Sequence, residues 1–347
     1  MKVLMITPEF SIKETKGLAR YSYEIYKRLK SFVEIETVFR KHFHKGFLGF
    51  IFSIFYPNFI TLVKGRKYDV IHATSPELAF IASIFYRKKL IVTFHDLFPI
   101  THYKKLKYKV GILTHLFSYI IWKIATRAKI IVANSSLTKE YIDKVFHRKN
   151  NIVVISEGVN ENIKQITEKN HILTLCFVGN LSYRKRVDVA IKLYRKISKK
   201  EKCKLIIVGG KLKSLYQVNF NLDKINEENI EIYDKVNEEK LIEIYSKSHF
   251  LIFSSIIEGF GLPILEAVRC KTLPITFKFS EIPKEVKKFS IECKDLDDAA
   301  KKIINLWKNK KRFEYIANKF YKLSLNFDWE KTCSKYLKIY KKVANYG

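Results

Sequence analysis

Short apolar runs rich in β-branched residues recur along the sequence, and a segment of helical period separates most neighbours. Strands fit Lys2–Ile6, Val33–Phe39, Asp69–Ala73, Leu90–Phe94, Ile130–Asn134 and Ile152–Ile155. They resume at Thr174–Val178, Lys204–Val208, Ile230–Tyr233, Phe250–Phe253 and Pro274–Phe277. Helical periods fit Ala19–Lys30, Tyr108–Thr126, Leu137–Phe146, Val187–Ile197 and Glu238–Ser246. Parallel strands are covered by helices on both faces, so they read as continuous apolar runs rather than as alternation. The rhythm therefore predicts an α/β protein built on doubly wound parallel sheets. At 347 residues the chain is too long for one compact core, so two domains are expected. The pattern falters once, in the polar stretch Glu157–His171, which places the boundary near residue 164. Ligands of such folds bind beyond the carboxyl ends of the strands, here in the cleft between the two domains.

Composition narrows the class. With 47% apolar residues and only 12 Gly and 7 Pro, the chain has enough apolar side chains to pack a core, which excludes a disordered protein. The 5 cysteines are scattered and show no C-x-x-C pairing, which argues against a disulfide framework or a zinc site and fits a reducing cytoplasm. A net charge of +31 favours anionic partners, but the excess is spread over both halves with no basic arm. Nucleic-acid binding would rest on charge alone and is not expected. The opening MKVLMITPEF runs straight into a strand pattern, so no signal peptide is expected. Gly46–Val63 is uncharged and reaches the lower length of a spanning helix, yet Pro57 lies inside it and basic residues flank both ends. We read it as a helix packed partly on the core and partly facing a bilayer surface.

Several strand-to-helix turns carry candidate chemistry. Gly17 opens a helix after the first strand, where amide groups and a missing side chain admit an anion, although a plain turn has the same appearance. The turn lacks the G-x-G-x-x-G dinucleotide pattern. In LIVTFHDLFP, His95 and Asp96 follow the end of a buried strand, a place for a substrate contact or for a loop histidine satisfied by backbone. In FVGNLSYRKRVD, Arg184, Lys185 and Arg186 precede a helix, where their charge and the helix dipole both favour a diphosphate. SSIIEGFGLPILEAVRC sets Glu258 before Gly259 and Gly261, with Glu266 expected in the first turn of the next helix. Amides of Phe260, Gly261 and Leu262 would be free for hydroxyls or phosphate oxygens. Two acids eight apart also suggest glycosidase chemistry, although one helix turn interrupted by glycines is an unusual frame for it. Asp295–Asp297 imitates a D-x-D metal motif but precedes a helical run, so we read it as a cap.

Taken in order, DVIHA, TFHDLFP, ANSSLTKEYI, VISEGVN, FVGNLSYRKRVD, EGFGLPILEA and FDWEKT resemble the retaining glycosyltransferases of family 4, over essentially the whole chain. The resemblance implies a GT-B fold, with two Rossmann-like domains facing across a cleft: 1–164 on the acceptor side and 165–326 binding the nucleotide sugar. Residues 327–347 would form a helix crossing back to the first domain. It further implies that Glu258 contacts donor-sugar hydroxyls and Glu266 the ribose, while the amides of Gly259 to Leu262 hold sugar and diphosphate. Lys185 would neutralise the diphosphate, with Gly17 approaching it from the first domain. His95 would contact the transferred sugar, and Asn180, Arg184 and Val236 would line the donor site. A hexose would pass to a surface-glycan acceptor, lipid-linked and at an anionic membrane surface, with no metal required. The chain departs from the family at Asn180, where Arg is usual, so that Arg184 or Arg186 would have to supply the charge. Asp234 replaces a glycine, and Arg269, Lys271 and Leu273 replace Ala, Gly and Pro. A nucleotide-sugar epimerase of the same fold and a non-catalytic nucleotide-sugar-binding subunit are the rival expectations.

Overall fold

The computed structural model describes residues 1–8, 17–39, 47–102, 112–210 and 227–345. These fall into two compact units. Val159–Phe327 supply the second, while the residues before it and the terminal segment from Asp328 supply the first.

The first unit holds six strands: β1 (Lys2–Thr7), β2 (Glu34–Phe39), β3 (Val70–Ala73), β4 (Leu90–Phe94), β5 (Ile130–Ala133) and β6 (Ile152–Val154). They form one parallel sheet in the order β2-β1-β3-β4-β5-β6. The central strands β1, β3, β4 and β5 are covered on both faces, which is why they read as unbroken apolar runs. Leu4, Ile6, Ile71, Val92 and Phe94 pack into one layer. Val3, Met5, Val70 and Ile91 pack into the other, against Tyr21 and Ile25 of the helix Gly17–Leu29 and Trp329, Tyr336 and Tyr340 of the terminal helix Trp329–Ala344. Burying each aliphatic side chain contributes about 1.5–3 kcal/mol, so the terminal helix is an integral part of this core.

The second unit repeats the plan with β7 (Leu173–Val178), β8 (Cys203–Val208), β9 (Ile230–Tyr233), β10 (Phe250–Ile252), β11 (Leu273–Phe277) and β12 (Ile291–Cys293). Its parallel order is β12-β11-β10-β7-β8-β9. Eleven of these strands coincide in place with the sequence expectation. The edge strand β12 does not, because Ile-Glu-Cys is short and only its last residue is buried. Each sheet has one point where the chain reverses its direction of winding, between β1 and β3 and between β10 and β7. Crevices open beyond the strand ends at such points.

The polar stretch Glu157–His171 is less idle than its composition suggests. Val159 and Ile163 are buried in the second core. The Lys169 ammonium donates to Ser248 O (2.6 Å), Cys270 O (3.0 Å) and Thr272 Oγ1 (2.7 Å). It thereby satisfies carbonyls at the C-terminal ends of the helices Glu238–Lys247 and Leu262–Arg269. Asp295 accepts from the amide of Asp298 at 2.9 Å and caps the helix Leu296–Lys308, as expected of a cap. The uncharged stretch forms the helix Phe47–Lys64, with Ile54, Asn58 and Thr61 buried and Phe55, Phe59 and Val63 exposed. Among the described residues no helix is long and apolar enough to cross a membrane.

Candidate functional site

In the second unit, the turns after β7 and β10 lock together. At the end of β8, Gly209 allows a backbone contact that any side chain would forbid, since a Cβ there would lie 1.8 Å from the Gly179 carbonyl oxygen. Asn180 follows, and its carboxamide oxygen accepts from the Ser182 hydroxyl at 2.7 Å. The chain then makes a single turn over Tyr183–Lys185, and Arg186, in the left-handed region (φ 54°), starts the helix Val187–Ser198. From the neighbouring strand's turn, Ser254 Oγ donates to the carbonyls of Lys185 (3.0 Å) and Arg186 (2.8 Å). The Ile256 amide donates to Arg184 O at 2.8 Å.

That interlock brings three buried charges together. Lys185 Nζ lies 2.6 Å from Glu258 Oε1, and an Arg184 guanidinium nitrogen lies 2.8 Å from the same oxygen. Arg184 also donates to Ile257 O at 2.8 Å, and the Lys185 ammonium stands 5.5 Å from the centre of the Phe253 ring. Burial by itself would raise the Glu258 carboxyl, but Arg184 and Lys185 outweigh it and hold the group at about 2. Glu258 is therefore a carboxylate at neutral pH, an acceptor rather than a proton donor. Burial pushes the Lys185 ammonium down, and Glu258 opposes that shift. Two cations thus share one carboxylate in a cluster that is largely withdrawn from water. Arg186 is engaged elsewhere, with its guanidinium 2.9 Å from both carboxylate oxygens of Asp188. Of the two arginines that could stand in for the charge missing at Asn180, it is Arg184 that joins the cluster.

After Glu258, Gly259 and Phe260 lead to Gly261, whose φ of 105° suits glycine, and the helix Leu262–Arg269 begins. Phe260 is buried against Phe327. The amides of Phe260, Gly261 and Leu262 have no acceptor among the described residues. Glu266 is not in the first turn, as the sequence suggested, but is the fifth residue of the helix. It is buried and accepts from the Tyr245 hydroxyl at 3.2 Å. Burial, and then the Glu266 charge, push Tyr245 well above the usual tyrosine value, so it remains a donor. Val236 lies just before the helix Glu238–Lys247, partly buried against the same core.

The first unit holds Gly17 and His95. A Cβ on Gly17 would meet nothing within 4 Å, so no contact among the described residues accounts for a glycine there. His95 follows β4. Its Nε2 donates to Thr74 O at 3.0 Å, its Nδ1 faces Glu157 Oε1 at 3.4 Å, and its ring meets Tyr21 edge-on at 4.4 Å. Glu157 is buried and also accepts from Asn134 Nδ2 at 2.9 Å. Sequence reasoning missed Glu157 and Asn134 as partners of His95. Both lay in quoted segments, VISEGVN and ANSSLTKEYI, but nothing in those segments reports that they converge on the histidine. Behind them runs a buried neutral chain: the Tyr21 and Tyr336 hydroxyls meet, and Tyr336 lies 3.1 Å from Thr93 Oγ1. His72 then joins Thr93 (2.9 Å) to the Tyr340 hydroxyl (2.7 Å).

The departures at the end of the glycine-turn helix have local explanations. Arg269 is buried and donates to Ser324 O (3.3 Å), at the last residue of the helix Lys310–Ser324, and to Phe327 O (3.1 Å), just beyond it. Lys271 adopts the left-handed conformation (φ 54°) that glycine would take there without strain.

Two doubly wound parallel sheets with flanking helices define a two-domain α/β protein of the GT-B fold. Residues 15–162 match Glycosyltransferase Family 4 and residues 159–323 match Glycosyl transferases group 1. The chain belongs to family 4 of the GT-B glycosyltransferases. It is 29% identical over 284 residues to an uncharacterized glycosyltransferase of Methanocaldococcus jannaschii, covering 75% of this chain and 70% of that one. It is 25% identical over 293 residues to the O-antigen chain mannosyltransferase of Salmonella typhimurium, covering 78% and 80%. Among solved structures it is similar to Anabaena HepE in complex with UDP and glucose, at a TM-score of 0.74 and 15% identity over 99% of this chain and 100% of that one.

Proposed function

We propose that the chain is a retaining hexosyltransferase that moves a sugar from a nucleoside-diphosphate donor to a lipid-linked surface-glycan acceptor at the cytoplasmic face of an anionic membrane. The carrying observation is the buried cluster in which Arg184 and Lys185 share the single carboxylate of Glu258. Cationic side chains converging at a helix N-terminus suit an anion, and a diphosphate leaving group develops its charge as the glycosidic bond breaks. Lys185 spends one of its three N–H bonds on Glu258, leaving two for phosphate oxygens. The amides of Phe260, Gly261 and Leu262 add neutral donors at a helix N-terminus. In this reading cations and amides offset the leaving-group charge, and no metal is needed.

Glu258, held ionised, accepts from sugar hydroxyls, and Glu266 with Tyr245 takes the ribose diol. His95, with Nε2 occupied by Thr74 and Nδ1 turned to Glu157, is held in one ring orientation, as a contact to the transferred sugar requires. Gly17, at the start of a helix in the first unit, puts no side chain in the way of an anion. Glycan synthesis and a mannose-like sugar are supported by the similarity to the O-antigen chain mannosyltransferase, and a uridine donor by the similarity to HepE.

The test is a thermal-shift panel of nucleoside diphosphates and their sugars, followed by transfer with the preferred donor. We expect one nucleoside diphosphate to raise the melting temperature, and NMR of the product to show the donor's anomeric configuration. Stabilisation by no nucleotide would overturn the donor assignment, and an inverted anomer would overturn retention. Donor consumed into its epimer without acceptor, or bound without turnover, would replace transfer by one of the two rival functions.

A further inference from the structure

In the second unit the helices Val187–Ser198 and Leu296–Lys308 pack side by side on one face of the sheet and leave a groove of about 870 Å³ between them. Its floor is apolar. Leu296, Ala300 and Ile304 recur every fourth residue, so they follow one another along a single face of their helix. Leu296 and Ile304 are only partly covered by the core beneath them. The groove runs away from the Arg184–Lys185 turn, which precedes the first of the two helices, and is not part of the donor cluster.

The walls are basic. Lys192, Lys196 and Lys200 line one side at intervals of about 6 Å, one helical turn each, with Arg195 and Lys199 beside them and Lys301 on the other helix. Lys199 and Lys200 continue the turn beyond Ser198, the Lys200 amide donating to Ile197 O at 2.8 Å. Three of these six cations are answered by acids: Lys192 lies 3.9 Å from Asp188, Arg195 lies 2.6 Å from Glu227, and Lys196 pairs with Asp297. Lys199, Lys200 and Lys301 are exposed and have no ion-pair partner among the described residues. Cations in a last helical turn offset the helix dipole, which accounts for Lys199 and Lys200 but not for Lys301 in mid-helix, nor for the apolar strip between the walls.

We infer that this groove receives an acidic amphipathic helix of a partner protein, with apolar residues laid on Leu296, Ala300 and Ile304 and carboxylates turned toward Lys199, Lys200 and Lys301. Carboxylates four residues apart on such a helix repeat at the same one-turn spacing as Lys192, Lys196 and Lys200. A small anion or a nucleic-acid backbone would match the walls but leave the apolar floor uncovered. A second copy of the chain carries the same net charge of +31, which opposes its docking here. The inference stands apart from the proposed transfer reaction.

Fluorescence anisotropy of a labelled peptide of glutamate and leucine in amphipathic helical order, titrated with the full chain, reads docking directly. We expect binding that weakens with added salt, and at least tenfold weaker binding of a scrambled peptide of the same composition. Lys199→Glu with Lys200→Glu, and separately Ile304→Ser, should each weaken binding at least tenfold, the first through charge and the second through the floor. A native circular-dichroism spectrum and a cooperative melt in both would show that the variants fold. No binding of the ordered peptide, or variants that bind it as wild type does, would overturn the inference. Equal binding of the ordered and scrambled peptides would overturn it too, by assigning the groove to anions at large. Neither donor nor acceptor is present, so failure here would leave the transferase assignment standing.

Discussion

In the first unit Tyr21, His72, Thr93, Tyr336 and Tyr340 bury a run of hydrogen bonds without burying charge, whereas in the second Arg184, Lys185 and Glu258 bury three charges in one cluster. Burial drives His72 down to about 3, so it stays neutral, and the same cause raises Tyr21, Tyr336 and Tyr340. Such a neutral chain fixes geometry: it joins the terminal helix to Tyr21, whose ring abuts His95. The charged cluster is costly to desolvate, and a hydrophobic replacement of similar volume would serve stability equally well. Two cations on one carboxylate make physical sense where an anion is to be received. One unit uses buried polarity to position; the other uses it to attract.

The contrast can be broken first at Glu258. Glu258→Ala leaves Arg184 and Lys185 buried without their counter-charge and should cost about 3–5 kcal/mol, read by urea unfolding at neutral pH. The folded carboxyl sits at about 2 against an ordinary 4.5, a depressed value, so its stabilisation is present above 4.5 and is lost as pH falls toward 2. That loss amounts to roughly 3 kcal/mol and should be missing from Glu258→Gln, whose unfolding free energy should be flatter over the same window.

Next comes Lys185→Ala, which should lower kcat for transfer by roughly a hundredfold, about 3 kcal/mol of barrier, in a donor-saturated assay. Turnover near wild type would show that the cluster holds the fold rather than the leaving group. A smaller and differently placed effect is expected at His72. Its folded value of about 3 lies below the ordinary 6.5, so the unfolded chain binds the extra proton and stability falls as pH drops below 6.5. By pH 5 the loss is about 2 kcal/mol, and His72→Asn should remove it from the pH profile of unfolding. A variant as acid-sensitive as wild type would mean that the network does not hold His72 neutral. The smallest change is Lys271→Gly, which relieves a left-handed lysine and should stabilise by about 0.5–1 kcal/mol, seen as a modest rise in melting temperature with transfer unaffected.

Much of the scaffold was readable because parallel strands are covered on both faces. Leu90–Phe94 and Ile130–Ala133 are buried at every position and stand out as apolar runs, while Ile291–Cys293 at a sheet edge does not. Glu258, Lys185 and the glycine turn were readable because each occupies a strand-to-helix turn with a recognisable local pattern. The partners were not readable. Glu258 and Lys185 lie 73 residues apart, and Tyr21 and Tyr336 lie 315 apart.

The sequence by itself determined the α/β class, the order of motifs, the basic turn at Arg184–Arg186 and the carboxylates at Glu258 and Glu266. Those follow from periodicity and local backbone chemistry, which act over a few residues. Only the tertiary structure decided that Arg184 rather than Arg186 joins Lys185, that Arg269 serves the end of a neighbouring helix, and that Glu157 faces His95. Such pairings depend on which helix faces and strand ends meet in the packed core, and local sequence carries no record of that distance.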